Sequence, residues 1–205
     1  MKTIIYNKED LDLVANELLK GKVIAFPTDT VYGVGVIYND LDALNRLKQA
    51  KDRPETKPIP TMVGSIDDLE TVAYVNDDVL KVAKAFMPGP ITLILPKKEN
   101  VCDFVTNGKN SIAVRIPNNE FLLSLIKKSG KALLVSSANI SGKDNCFNTD
   151  DVIRQLDGRI AGIVEGESGG SMASTIVDMT GDEPLIIREG PITYNQINEV
   201  LKKVR

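Results

Sequence analysis

Short apolar runs alternate with amphipathic helical segments along the chain, and this alternation constrains the fold more than any other feature. Each run is bounded by Gly, Pro or polar turn residues, which is typical of buried strands. We predict strands at residues 23–26, 32–37, 91–95, 112–116, 132–135, 162–165, 175–178 and 185–188. Because the connections differ in length, the sequence predicts an α/β fold whose mixed parallel and antiparallel sheet is covered by helices.

Residues that cap helices separate these strands. We predict helices that begin at or near Asn7, Asp40, Asp68, Asn76, Asn119, Thr149 and Thr193. In the first of them Asp10 occupies the capping-box position, and Gly21 ends the helix. The sequence contains no repeat or linker, and 205 residues suffice for one domain with a sizeable core. A single domain over 1–205 is therefore expected.

The composition excludes several classes of function. The chain has no histidine, which excludes Ser-His-Asp and Cys-His catalysis and histidine-ligated metal sites. Its two cysteines cannot form a disulfide framework, and we expect reduced thiols in a cytoplasmic protein. No apolar stretch approaches the ~20 residues of a membrane span, so no membrane association is expected. The net charge of −3 argues against a general affinity for nucleic acid.

Two polar segments are candidates for a binding site. Lys51, Arg53 and Lys57 lie in a stiff loop with three prolines, where they either face solvent near a helix end or bind phosphate. Residues 136–142 follow a strand and form either a capped turn or a ligand loop. Residue type and spacing leave both alternatives open for each segment.

Three further segments have polar or flexible character. Residues 27–33 form a polar turn between strands or a loop that presents donors and acceptors to a ligand. Arg115, on a mostly apolar strand, is either exposed or needs a partner. Residues 166–171 are glycine-rich, and we interpret them as part of a lid. The sequence has neither GxxxxGK[ST] nor GxGxxG, and no Asp-x-Asp pair indicates a metal site.

Seven motifs occur together in one order: PTDTVYG, KDR-P, PGPITLIL, SIAVRIP, SSANISG, STIVD and IIREGPIT. In this order and spacing, from about residue 21 to 193, the chain resembles the YrdC/TsaC family of L-threonylcarbamoyladenylate synthases. The resemblance implies the family's twisted mixed sheet with a large concave groove, in the short single-domain form.

The resemblance also implies roles for individual residues. The family's KxR…SxN tetrad corresponds to Lys51, Arg53, Ser137 and Asn139, which are the expected catalytic residues. The resemblance implies that Lys51-x-Arg53 and Ser137-x-Asn139 close on one another to form one nucleotide site. The expected ATP ligands are Arg53, Lys57, Ser111, Ser137, Asn145 and Arg188. The expected threonine site consists of Thr30, Arg115, Ser174 and Met62. Met62 occupies a position where relatives often have a histidine. The affinity for threonine is therefore the property in which this chain is expected to differ from its relatives.

The implied activity is that of a nucleotidyltransferase, which converts ATP, L-threonine and bicarbonate to threonylcarbamoyl-AMP and pyrophosphate. Mg²⁺ is expected to arrive with ATP, without assigned protein ligands. Threonylcarbamoyl-transferase proteins would then modify the tRNA adenosine beside the anticodon. The alternatives are a YciO-like or carbamoyl-adenylate-forming paralogue, and a module that binds double-stranded RNA or tRNA.

Overall fold

The computed structural model describes residues 2–54 and 56–202. The strands are β1 (Ile4–Tyr6), β2 (Ile24–Phe26), β3 (Gly33–Ile37), β4 (Thr61–Met62), β5 (Ile91–Pro96), β6 (Ser111–Arg115), β7 (Leu133–Ser137), β8 (Gly162–Val164), β9 (Thr175–Asp178) and β10 (Leu185–Arg188). The helices are α1 (Leu11–Leu19), α2 (Leu41–Ala50), α3 (Leu69–Val72), α4 (Asp77–Phe86), α5 (Asp103–Thr106), α6 (Glu120–Ser129), α7 (Thr149–Leu156) and α8 (Tyr194–Lys202). Both ends of the predicted domain 1–205 lie outside the described residues.

The strands form one sheet in the order β1-β8-β2-β3-β7-β4-β6-β5-β9-β10. Four neighbouring pairs are parallel: β1 with β8, β8 with β2, β4 with β6, and β5 with β9. The remaining pairs are antiparallel. The predicted α/β class with a mixed sheet is therefore confirmed, and every predicted strand has a counterpart. The sequence missed β1 and β4.

Side-chain caps set most of the helix starts. The carboxylate of Asp40 accepts a hydrogen bond from the Ala43 amide at the start of α2, and Asn76 and Asn119 cap α4 and α6 in the same way. The prediction that Thr149 caps α7 was wrong. Asn148 caps that helix, because the Thr149 hydroxyl instead accepts from the amide of Gly166.

The N-terminal helix is also built differently from the prediction. Residues Lys8–Asp10 form a 3₁₀ turn and α1 begins at Leu11. Asp10 nevertheless accepts from the amide of Asn7, as its predicted position requires. In the described part of the chain no helix combines the length and the apolar character needed to cross a bilayer.

Side chains that alternate along the strands pack into two separate hydrophobic cores. Ile24 and Phe26 of β2 pack with residues of α1 and α6, such as Leu18 and Leu125. The neighbouring Ala25 packs in the other core, which the apolar faces of α2, α4, α7 and α8 complete. Because successive strand residues point to opposite faces, these two cores lie on the two sides of the sheet.

Candidate active site

A cavity of about 540 Å³ lies against the sheet, and side chains of four adjacent strands form its floor. These side chains are Met62, Thr92, Ile94, Ala113, Arg115 and Ile176. Leu93, Val114 and Val177, which alternate with them, pack in the core on the other face. Met62 belongs to the core of α1 and α6, so the cavity continues the face that those two helices cover.

Loops at the strand ends form the walls of the cavity and concentrate positive charge there. Five cationic side chains line it: Arg53, Lys57, Lys109, Arg115 and Arg188. None of the described lining residues is acidic. Burial lowers the pKa of each of the three arginines, and for Arg188 the neighbouring Arg115 adds to the effect. Five cations and, among the described residues, a single acidic partner, the Asp29 carboxylate that pairs with Arg115 behind the lining, favour an anionic ligand in the cavity.

Arg115 is held by three hydrogen bonds at the floor of the cavity. Its Nε donates to the Gly89 carbonyl at 3.1 Å, its Nη1 to the Thr30 hydroxyl at 3.0 Å, and its Nη2 to Asp29 Oδ1 at 2.6 Å. A Cβ at position 89 would lie 2.4 Å from the Phe86 carbonyl oxygen, so only glycine fits there. A guanidinium has five N–H donors, and two therefore remain for a ligand. Arg115 needed a partner, as its apolar strand suggested, and Asp29 supplies the opposite charge.

The Thr30 hydroxyl has a defined direction because Thr28 constrains it. The Thr28 hydroxyl donates to the Val31 carbonyl at 2.7 Å and lies 3.0 Å from Thr30 Oγ1. Since Thr28 has already donated its only proton, Thr30 must donate to Thr28. Thr30 also accepts from Arg115. One lone pair of Thr30 Oγ1 is left, and it can accept a hydrogen bond from a ligand.

Ser174 is fixed on the opposite wall. Arg188 donates to the Ser174 carbonyl through Nε at 3.0 Å and Nη2 at 2.8 Å, and its Nη2 also lies 3.2 Å from the hydroxyl. The same hydroxyl lies 2.9 Å from that of Thr92, a polar residue in an otherwise apolar strand. Thr92 was not predicted as a site residue, although a threonine within an apolar strand could have indicated a polar contact there.

The two motifs expected to meet do so beside the cavity. Arg53 donates to the carbonyls of Pro58 at 2.9 Å and Lys57 at 3.2 Å, and its Nη1 lies 3.4 Å from the Ser136 hydroxyl. The ammonium of Lys51 donates to the carbonyls of Ser137 and Asn139. The proline loop and the turn after β7 are therefore joined by direct hydrogen bonds.

The structure divides the residues that the sequence assigned to the site. Those that line the cavity are Thr30, Arg53, Lys57, Met62, Arg115, Ser137, Ser174 and Arg188. Lys51, Ser111, Asn139 and Asn145 are not among its lining residues. Ser111 shares a strand face with Ala113 and Arg115, one step further along β6, so an extended ligand can reach it.

Among the Ser, Thr, Lys and Arg residues that line the cavity, four were not assigned a role from the sequence: Thr28, Thr92, Lys109 and Ser136. Thr28 and Ser136 stand inside segments that the sequence had marked as polar. Lys109 lies in the loop before β6, and no local pattern distinguishes it from other surface lysines.

The glycine-rich segment 166–171 does not have the position of a lid. The amides of Gly169 and Gly170 donate to the carbonyls of Thr28 and Thr30 at 2.8 and 3.0 Å, and Ser168 donates to Phe147. The segment is thus attached to the outside of the loop that carries Thr30, and none of its residues lines the cavity. The structure favours a supporting role for it, in place of the predicted lid.

Met62 forms part of the floor next to Arg115. The two residues are Cα partners across the parallel pair β4 and β6, and Met62 is 4% exposed. Because paired residues of adjacent strands have their side chains on one face, the thioether lies beside the guanidinium. This position offers an apolar surface to a ligand and no strong hydrogen-bond donor.

Comparison with known proteins identifies relatives over nearly the whole chain. The sequence model of the Sua5, YciO and YrdC family, which carries the description "Telomere recombination", matches residues 16–190. A protein from Pyrococcus abyssi named threonylcarbamoyl-AMP synthase is 36% identical over 211 residues, which covers 99% of this chain and 62% of that protein. A protein of the same name from Bacillus subtilis is 37% identical over 198 residues, which covers 95% of this chain and 57% of that protein.

A solved structure gives the same result. The crystal structure of Pyrococcus abyssi Sua5 complexed with L-threonine matches with a TM-score of 0.91 and 35% identity. The match covers 99% of this chain and 62% of that structure's chain. The chain therefore spans about 60% of the length of these relatives.

Proposed function

The chain belongs to the Sua5, YciO and YrdC family, and from that premise we propose that it is a threonylcarbamoyl-AMP synthase. This nucleotidyltransferase joins L-threonine, bicarbonate or CO₂, and the AMP part of ATP, and releases pyrophosphate. One observation carries the proposal: a single cavity floor joins an amino-acid-sized site centred on Arg115 to a wall bearing Arg53, Lys57 and Lys109. The names of the relatives support the same activity.

The threonine site is assigned to the Arg115 side of the cavity. The two remaining N–H groups of Arg115 bind the α-carboxylate, since a guanidinium matches a carboxylate in a bidentate geometry. The remaining lone pair of Thr30 accepts a hydrogen bond from the amine or the hydroxyl of threonine. Ser174 provides a hydroxyl on the opposite wall, and Met62 contacts the methyl group.

The nucleotide is assigned to the walls formed by the proline loop and the end of β7. Arg53, Lys57 and Arg188 bind the phosphates, and Ser137 donates a hydrogen bond to them. Ser111 binds a more distant part of the nucleotide, and the role of Asn145 rests on the resemblance alone. Because Arg53 is already anchored by the carbonyls of Lys57 and Pro58, little further ordering is needed when the nucleotide binds.

The proposed chemistry needs positioned cations more than an acid–base side chain. The threonine nitrogen bonds to the carbon of CO₂ and loses a proton, which gives a carbamate. A carbamate oxygen then attacks the α-phosphorus, and the bond from that phosphorus to pyrophosphate breaks. Negative charge grows on the phosphoryl oxygens and on pyrophosphate, and preorganised guanidinium and ammonium groups stabilise it. A chain without histidine can therefore support this reaction.

Mg²⁺ belongs to the proposal only as a companion of ATP. The described residues contain no group of three or more Cys, Asp or Glu side chains that could hold a metal ion. The donors of the cavity do not fit a resident metal, and phosphate oxygens and water would be the ligands of Mg²⁺. ATP and tRNA are cytoplasmic, so we assign the reaction to the cytoplasm. We also propose that threonylcarbamoyl-transferase proteins use the product.

Mass spectrometry of the product tests the proposal. With ATP, threonine and ¹³C-bicarbonate, the product should be threonylcarbamoyl-AMP carrying one labelled carbon. Arg53→Ala should reduce pyrophosphate release at least about 100-fold, since it removes a donor to the developing charge. Arg154→Ala, which removes an exposed arginine on α7, is the control and should leave the rate unchanged. Pyrophosphate release with carbamoyl phosphate but not with threonine would indicate the carbamoyl-adenylate paralogue instead.

A further inference from the structure

Lys51 is the most deeply buried cation of the chain's described residues, and it does not line the cavity. It follows the last residue of α2 and is 1% exposed. Its ammonium donates to the main-chain carbonyls of Ser137 and Asn139. Its own carbonyl accepts from the amide of Ser141 at 2.8 Å. One residue is therefore connected to the turn after β7 at three points.

Asn139 is buried in the same turn and also contacts the main chain. It is 6% exposed, and its Nδ2 donates to the carbonyls of Ile140 and Lys143, both at 2.9 Å. Neither Lys51 nor Asn139 lines the cavity, whereas Arg53 and Ser137 do. The four residues that the sequence grouped together thus fall into two pairs, one facing the cavity and one behind its wall.

The carbonyls of Ser137 and Asn139 are the hydrogen-bond acceptors of the buried ammonium. Burial, together with the smaller effect of the neighbouring Arg53, lowers the pKa of Lys51 to about 7. A buried cation without acceptors would be strongly destabilising, so the two carbonyls must stay directed at Nζ. This requirement fixes the turn. The Ala138 amide, which donates to the Tyr32 carbonyl at 2.7 Å, fixes the same turn from the side of β3.

We propose that Lys51 is a positioning residue: by binding the carbonyls of Ser137 and Asn139 it holds Ser137 at the cavity wall, on the side where Arg53 contacts Ser136, and it does not bind the nucleotide. Asn139 likewise fixes the second half of the turn, through its hydrogen bonds to the carbonyls of Ile140 and Lys143. The functional part of this proposal rests on the proposed function. The structural part, the fixed turn, does not depend on any substrate.

Amide hydrogen exchange in the ligand-free protein tests the structural part. At about pH 6, where Lys51 is still charged, the Ser141 amide should exchange about 10- to 100-fold faster in Lys51→Met than in the parent protein, which is the effect of losing one or two charge-assisted hydrogen bonds. Amides of α6 should keep their rates. Lys143→Met is the matched control, because it removes a lysine from the same turn whose side chain is exposed. It should leave the Ser141 amide unchanged.

Kinetics of adenylate formation test the functional part. Lys51→Met should lower kcat/KM for ATP about 100-fold, because small misplacements of reacting groups have effects of this size. Lys51→Gln retains two neutral N–H donors on a side chain one bond shorter and should recover part of both the exchange protection and the rate. Lys143→Met should retain the rate of the parent protein.

The possible outcomes separate this proposal from the proposed function. If ATP affinity is lost in Lys51→Met while the Ser141 amide exchanges at the parent rate, Lys51 is a nucleotide ligand and the proposal is wrong. It is equally wrong if exchange accelerates and adenylate formation continues unimpaired. If the parent protein forms no adenylate, the proposed function fails, and the exchange data still decide whether Lys51 fixes the turn.

A measurement on the parent protein covers the case in which Lys51→Met does not fold. In protein labelled with ¹⁵N-lysine, the Nζ protons of Lys51 should exchange slowly without any ligand, and saturating ATP should not change that rate. Slow exchange that appears only when ATP is bound would overturn the proposal.

Discussion

Lys51 carries an ionisable group inside the protein, so the stability of the fold should depend on pH above neutrality. Burial lowers its pKa from an ordinary 10.5 to about 7. Between these values the unfolded chain binds a proton that the folded protein has released, so the free energy of unfolding rises with pH. The rise from one such group is at most about 1.4 kcal/mol per pH unit. Urea unfolding at a series of pH values from 6 to about 10 measures it.

The difference between the parent protein and Lys51→Met isolates this contribution. Cys146, whose pKa burial raises to about 11, acts in the opposite direction at high pH, and Lys51 and Cys146 influence one another's pKa. The two proteins are therefore compared below about pH 8, where a cysteine thiol is mostly protonated in the folded and the unfolded chain. The stability of the parent relative to Lys51→Met should therefore be constant below about pH 6 and should increase above pH 7. A difference that does not vary with pH would mean that Lys51 keeps an ordinary pKa in the folded protein.

The sequence indicated that Lys51 and Arg53 belong to one site, but it did not separate their tasks. Residue type and spacing predict the local concentration of cations, because both residues follow a helix end. Their directions depend on Asp52, which adopts a left-handed conformation with φ of 49°, and on carbonyls 86 and 88 residues away. Long-range acceptors of this kind leave no local signal. By contrast, Arg115 on an apolar strand did indicate a buried partner.

At the scale of elements, the segment 166–171 should influence threonine binding from outside the cavity. A Cβ at Gly170 would lie 2.8 Å from the Thr30 carbonyl oxygen and 2.9 Å from that of Asp29. Gly170→Ala must therefore displace the segment or the loop that carries Thr30. We expect it to raise KM for threonine about 10-fold, to leave KM for ATP unchanged, and to lower the free energy of unfolding by about 1–3 kcal/mol.

Gly181→Ala is the matched control for this substitution. A Cβ at position 181 would meet no heavy atom of the described residues within 4 Å, and the backbone there has no positive φ. The variant should therefore have parental stability and kinetics. Equal effects of Gly170→Ala on both substrates would show that the segment supports the whole cavity. No effect on either substrate would show that Thr30 is positioned without it.

Elements with strong periodic patterns could be predicted, and the shortest ones could not. Each predicted strand has between three and six residues in the structure, with apolar positions that alternate or run continuously. β4 has two residues between prolines and a glycine, and it exists because β6 and β7 flank it. β1 has three residues and pairs with β8, which lies about 158 positions later in the chain. Pairing over such distances is a tertiary effect that a local pattern cannot indicate.

At the scale of the whole molecule, the cavity arises because the two faces of the sheet are used differently. The residues that alternate with the floor complete the core of α2, α4, α7 and α8. On the other face, the core of α1 and α6 involves β1, β8, β2, β3 and β7, at one end of the sheet order, and includes Met62 of β4. The cavity floor begins at the same Met62 and extends over β6, β5 and β9. The alternating pattern within each strand separates the residues of one face from those of the other. The order of the strands in the sheet was needed to show which of these residues face the cavity.

The distribution of charge over the molecule distinguishes a nucleotide enzyme from an RNA-binding module. The total charge is −3, and five cations line the cavity, so the rest of the chain carries −8. A duplex RNA needs many phosphate contacts spread over a surface, whereas these five cations converge on one cavity. We therefore expect double-stranded RNA to bind more weakly than about 100 µM at 150 mM salt, the weak end of non-specific binding. Fluorescence anisotropy of a labelled duplex measures this.

The same titration at 50 mM and 200 mM salt provides the decisive comparison with pyrophosphate. Pyrophosphate binding should survive the change, because its proposed contacts are the partly buried Arg53 and Arg188, and buried charges are screened less than exposed ones. Any RNA binding seen at 50 mM should disappear at 200 mM and should not compete with pyrophosphate. RNA that binds at micromolar concentration in 200 mM salt and is displaced by pyrophosphate would instead assign the cavity to an RNA ligand. Arg53→Ala should weaken pyrophosphate binding while leaving the weak RNA signal unaltered, since one cation contributes little to a non-specific surface.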